Sequence, residues 1–160
     1  MYHHCSSKRV FVVHGGLYSK YEEFDLDWVI ENVRKPTDTK NYQENPFRSP
    51  QEDLELLRKD SLALQKAQIV EDLLWSDPKE NLESVTENKE RGQGCCFGVE
   101  DTKKFLMIND LSYMIRSHET VDEGIRKQHD GKCVTVFSAP NYCNVHTNRG
   151  AVMVIDRDDL

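Results

Sequence analysis

Three kinds of apolar patterning recur along this chain, and each predicts a different element. Short β-branched or aromatic runs, Val10-Phe11-Val12-Val13, Tyr113-Met114-Ile115 and Val134-Thr135-Val136-Phe137, read as strands. The first, residues 8–14, is expected to be a buried strand, with Gly15-Gly16 freeing the backbone to turn sharply behind His14. Gly150 to Asp156 reads as a further strand, Glu123-Gly124 as a turn, and Asp130-Gly131 as the turn of a hairpin. Phe24 to Val33 and Val99 to Asn109 carry the apolar spacing of short helices. A longer stripe, Leu54, Leu57, Leu62, Leu64, Ile69, Leu73 and Leu74, predicts a helix whose apolar face packs on a core. Ser49-Pro50-Gln51-Glu52 supplies its capping box and Trp75-Ser76-Asp77-Pro78 breaks it. Between these patterns, residues 34–49 read as a flexible polar insert and Lys79 to Glu90 as a charged loop. The order of elements predicts a mixed α/β layered domain, helices covering a sheet.

Composition narrows the class. The 160 residues suit one domain with a modest core, and a net charge of −7 argues against general nucleic-acid binding. No apolar run approaches the roughly 18 residues that span a bilayer, and the first residues lack the apolar stretch of a signal peptide. Five cysteines, unevenly spread and without a C-x-x-C spacing, read as reduced thiols, so a cytoplasmic or nuclear location is expected.

Candidate chemistry sits at the ends of the strand-like runs. His14 and His118 each close one, and either alone reads as a structural or surface histidine. Together they read better, because neighbouring strands would bring both imidazoles to one sheet edge, where they suit a first-row metal. Two histidines do not complete a hydrolytic dimetal centre, which also needs carboxylates, and no Asp-x-His motif occurs in the chain. Arg91, before a glycine-punctuated segment, has the fork of donors that clamps a phosphate, although a solvated surface arginine looks the same in sequence. Tyr142, behind Ala139-Pro140-Asn141, offers either a hydroxyl at a site rim or an ordinary packing ring. Cys143 is reactive only if exposed near positive charge, and His3-His4-Cys5 belongs to a frayed terminus.

Taken in order, His14-Gly15-Gly16-Leu17, Leu73-Leu74-Trp75-Ser76-Asp77-Pro78, Arg91-Gly92, Arg116-Ser117-His118-Glu119 and Ser138-Ala139-Pro140-Asn141-Tyr142-Cys143 resemble the later motifs of the phosphoprotein phosphatases, the metal-dependent Ser/Thr phosphatases. Asp130-Gly131-Lys132, Asn148-Arg149-Gly150-Ala151 and the insert look most like the EF-hand-bearing branch, while the Ala-Pro-Asn-Tyr-Cys run is also compatible with the branch carrying tetratricopeptide repeats. The resemblance implies a calcineurin-like metallophosphoesterase fold, a β-sandwich flanked by helices, of which residues 8–160 form the C-terminal half. It implies two metals, manganese or iron with zinc, with His14 and His118 on the same ion, Arg91 on the phosphate and Tyr142 lining the phosphate pocket. Phosphoprotein substrates and regulatory subunits or domains are the implied partners. The family's earlier motifs, with the other ligands, a second arginine and the general-acid histidine, have no counterpart in this sequence. The chain thus reads as truncated, Met1 as a misplaced start, and the 160 residues as inactive alone. The other expectation is a non-catalytic binding or regulatory module of phosphatase descent.

Overall fold

The structure, a computed structural model, describes residues 9–33 and 61–155. The insert at 34–49, the capping box at Ser49, the first part of the leucine stripe and His3-His4-Cys5 lie outside them. The elements are β1 (Val10–Val12), α1 (Leu26–Asn32), α2 (Ser61–Trp75), β2 (Asp77–Pro78), β3 (Thr86–Glu87), β4 (Cys95–Phe97), α3 (Val99–Ile108), β5 (Tyr113–Arg116), β6 (Ile125–Gln128), β7 (Cys133–Val136) and a 3-10 turn at Tyr142–Asn144.

Two sheets form. The larger has the order β1-β5-β7-β6, with β1, β5 and β7 parallel and β6 antiparallel to β7. The smaller has the order β2-β4-β3. The hairpin expected at Asp130-Gly131 joins β6 to β7, and His129, Asp130 and Gly131 all take positive φ there. Asp25 caps α1 by accepting from Trp28 N at 2.8 Å, and Asp101 accepts from Gly98 N at 2.9 Å to close the first turn of α3. The core gathers on Phe105 of α3, whose ring meets those of Phe11, Tyr18 and Tyr21 at 5.1, 5.8 and 6.0 Å between centroids. Asp72 of α2 accepts from Ser19 N and Oγ at 2.8 and 2.6 Å, tying the helix to the segment after β1.

Several expectations are corrected. β1 is only partly buried, with Val12 68% exposed, because among the described residues it is the edge of its sheet. Neither Gly15 nor Gly16 takes positive φ, so they are not there to permit a left-handed turn. They allow close approach instead: a Cβ on Gly15 would sit 2.5 Å from the Leu74 carbonyl carbon, and one on Gly16 would enter the Phe97 ring. The leucine stripe is not all core, since Ile69 is buried while Leu62, Leu64 and Leu74 are exposed. The segment after Gly150 is extended but forms no strand among the described residues, where only Ala151 N bonds across, to Phe137 O, and Val152 and Val154 stay 85% and 79% exposed. The charged loop from Lys79 hides β3, and β2 and β4 were also unexpected. Pairing in the small sheet, rather than any apolar period, defines these strands.

His129 carries a pH-dependent part of the stability. Its ring is fully buried, with Nδ1 2.7 Å from Thr102 Oγ1 and Nε2 3.3 Å from the Lys79 carbonyl. The neutral tautomer with Nε2–H donating to that carbonyl and Nδ1 accepting from Thr102 satisfies every group. Burial holds its pKa below the ordinary histidine value despite the opposing charge of Glu80. Below about pH 6.5 the unfolded chain therefore binds more protons at this site than the native one. This contribution is present above that pH and lost as pH falls towards the folded pKa. Urea midpoints at pH 7.5 and 5.5 are expected to differ less in His129→Gln than in the wild type. An equal difference in both would show that His129 does not carry the effect.

Candidate active site

Parallel pairing decides what shares the site edge. Val12 pairs with Ile115, and Ile115 with Val134, so the carboxyl ends of β1, β5 and β7 lie side by side. His14 follows β1 by two residues, His118 follows β5 by two, and Tyr142 stands in the loop after β7. The two histidines meet as expected, with His14 Nε2 3.1 Å from His118 Nδ1 and ring centroids 5.0 Å apart. The Ser117 N–H donates to the His14 carbonyl at 3.0 Å, linking the two backbones beside the rings. His118 sits at φ 65°, a left-handed conformation that histidine tolerates better than most residues. Trp75, at the end of α2, meets its ring edge-on at 5.2 Å.

A charge network behind the histidines was not foreseen from sequence. Arg116 is wholly buried, 0% exposed, and its guanidinium holds three separate segments. Nε donates to the Gly15 carbonyl at 2.5 Å, Nη2 to the Ser76 carbonyl and Asp77 Oδ1 at 3.0 and 2.9 Å, and Nη1 to Glu119 Oε2 at 2.7 Å. Asp77 also accepts from Asn88 Nδ2 at 2.9 Å and from Arg91 Nε at 2.6 Å. Burial alone would raise the Asp77 pKa, but the hydrogen bonds from Arg91 and Asn88 and the charge of Arg116 outweigh it and hold it below the ordinary value. Arg91 is thus oriented by a fixed anion, and its Nη1 makes no hydrogen bond among the described residues. Burial, then the charge of Arg91, pushes the His118 imidazole down to about 4, so it is neutral at pH 7. The signal for this network was a charged residue closing the apolar run Tyr113-Met114-Ile115, which demands a buried counter-ion.

Among the described residues no hydrogen bond or ring pair joins Tyr142 to His14, His118 or Arg91. The Tyr142 ring packs edge-on against Phe137 at 5.1 Å, and the residue is 43% exposed. Cys143 is exposed, and Cys95, Cys96 and Cys133 are buried free thiols.

Comparison with known proteins places the arrangement. No protein-family model matches the chain. Human serine/threonine-protein phosphatase 5 is 37% identical over 159 residues, covering 98% of this chain and 26% of the human protein. Mouse serine/threonine-protein phosphatase with EF-hands 1 is 34% identical, over 89% of this chain and 24% of its own length. A solved Saccharomyces cerevisiae protein serine/threonine phosphatase superposes with a TM-score of 0.58 at 31% identity, covering 89% of this chain and 35% of the yeast chain. Over nearly all of its length the chain resembles the serine/threonine protein phosphatases. It spans about a quarter of the length of the curated relatives it matches. Its fold is the C-terminal part of the phosphatase domain. The relative with EF-hands is less similar than phosphatase 5, so the sequence leans to the latter.

The two histidines are spaced to fit one metal ion. Two donors each about 2.0–2.1 Å from one ion, at tetrahedral or octahedral angles, lie about 3 Å apart, which matches the 3.1 Å between the facing nitrogens. With Nδ1 as the donor, the His118 proton sits on Nε2, which is buried without a partner among the described residues. Two imidazoles are an incomplete set. Among the described residues no group of three or more His, Cys, Asp or Glu is arranged to hold a metal. The same residues include no helix long and apolar enough to cross a membrane.

Proposed function

We propose that the protein is a metal-dependent serine/threonine protein phosphatase that hydrolyses phosphoserine and phosphothreonine, and that this chain supplies one wall of its site. The observation that carries the reading is the facing pair of imidazole nitrogens 3.1 Å apart at the ends of adjacent parallel strands. His14 and His118 would hold one of two divalent ions, manganese or iron with zinc, whose bound form supplies Lewis acidity to the phosphoryl group and acidifies water. Arg91, aimed by Asp77, clamps phosphate oxygens through its outer N–H groups. Tyr142 presents a hydroxyl at the rim of the phosphate pocket. Neutral His118 keeps a lone pair free for coordination at pH 7. Phosphoproteins are the substrates of this reading, regulatory subunits or domains its partners, and cytoplasm or nucleus its compartment.

Arg91 gives the direct test. In the purified protein with manganese and an aryl phosphate, Arg91→Ala is expected to lower kcat/KM by about 100- to 1,000-fold, the usual cost of losing a donor to developing charge. Metal content should not change. Lysine keeps the charge but not the fork, and should recover only part of the loss. Turnover within twofold of wild type in Arg91→Ala would remove Arg91 from the site.

A second reading, a non-catalytic module of phosphatase descent, draws on the incomplete donor set of the described residues. Wild-type protein that binds phosphoproteins but shows no metal-stimulated turnover would favour it.

A further inference from the structure

Between Ser138 and Gly150 every residue is exposed except one. Asn148 is 5% exposed, and its whole amide is used. Oδ1 accepts from the Tyr142 N–H at 3.0 Å, and Nδ2 donates to the carbonyls of Ala139 and Arg149 at 2.8 and 3.0 Å. Its own carbonyl accepts from Asn141 N at 2.9 Å. The loop so gripped is under strain, because Asn141, Cys143 and Asn144 hold φ of 49°, 56° and 56° without being glycine. Such conformations persist only where surrounding contacts over-determine them.

The strap that carries Asn148 is itself anchored. Arg149 N donates to Asp122 O at 2.7 Å and Ala151 N to Phe137 O at 3.0 Å. Gly150 lies so close to the loop base that a Cβ there would stand 2.3 Å from the Ser138 carbonyl oxygen. The tyrosine ring rests on Phe137, while its hydroxyl makes no hydrogen bond among the described residues. The ring is therefore aimed by its backbone, and Asn148 holds that backbone.

We propose that Asn148 is a positioning residue for phosphate-ester hydrolysis, acting through Tyr142; this rests on the phosphatase reading in which Tyr142 borders the phosphate. An amide is required because the position needs one acceptor for Tyr142 N and two donors for facing carbonyls. Aspartate keeps the acceptor but sets a carboxylate against two carbonyl oxygens, and alanine keeps nothing.

The test combines kinetics and amide exchange on the purified full-length protein. Asn148→Ala, Tyr142→Phe and the double variant are assayed with an aryl phosphate and with inorganic phosphate as inhibitor. Hydrogen exchange is followed in peptides covering residues 139–147 and in those covering β5 and β7. Asn148→Ala is expected to lower kcat/KM and weaken phosphate inhibition about tenfold, and to add nothing to Tyr142→Phe. Exchange at residues 141–146 should accelerate at least tenfold, with β5 and β7 unchanged. Asn148→Asp should fall between wild type and alanine. Additive effects in the double variant, equal acceleration in β5 and β7, or unchanged loop exchange would each overturn the proposal. Failure of the phosphatase reading looks different. Absent wild-type turnover, or a Tyr142→Phe variant with unaltered kinetics, overturns that reading and the catalytic half of the proposal, while loop exchange still decides whether Asn148 is the clamp.

Discussion

Arg116→Met is expected to destabilise the protein by about 3–5 kcal/mol, the range for breaking a buried ion pair by removing one partner. The arginine is fully buried and satisfies the carbonyls of Gly15 and Ser76 together with Asp77 and Glu119. Methionine fills similar volume but leaves both carbonyls and the Asp77 oxygen without that donor. Arg91 still neutralises part of the Asp77 charge and Asn88 still donates to it, which keeps the loss from growing further. Lysine should recover only a fraction, because one ammonium cannot reach four acceptors set for a planar fork. Chemical denaturation of the wild type and both variants measures this directly. A methionine variant within 1 kcal/mol of wild type would show that the network is locally replaceable.

The largest effect on activity is expected at the histidines. His14→Ala and His118→Ala should each lower metal-dependent turnover by about 100-fold or more, since even outer-sphere changes at metal sites reach that range. Because both nitrogens face one point 3.1 Å across, each single variant should lose the same ion and the double variant no more than either. Metal content by mass spectrometry gives a readout separate from turnover. If both singles retain full metal content, the pair is a hydrogen-bonded structural contact and the site lies elsewhere.

The sequence made the outline of this site legible because strand ends and turn residues are local signals. The runs ending near His14, His118 and Tyr142 became β1, β5 and the loop after β7, and Asp130-Gly131 became a hairpin turn. Strand order was not local. Nothing in the runs themselves says that β1 and β5 pair in parallel, and that pairing is what turns two separate histidines into a pair. The small sheet escaped notice because Asp77–Pro78 and Thr86–Glu87 are too short and polar to show a period. Gly15 and Gly16 look like turn residues in sequence, and only the approach of Leu74 and Phe97 reveals that they make room. Asp77 and Arg116 lay inside recognisable motifs, but their partnership spans 39 positions and belongs to tertiary structure.

The left-handed backbone at His118 also restricts how this position can change over generations. Among residues other than glycine, asparagine, aspartate and histidine are the ones enriched at positive φ. Glutamate and cysteine, chemically able to bind metals, meet a steric objection from the main chain before coordination is tested. A lineage exploring new ligands here therefore has a very short alphabet, written by the peptide rather than by the ion.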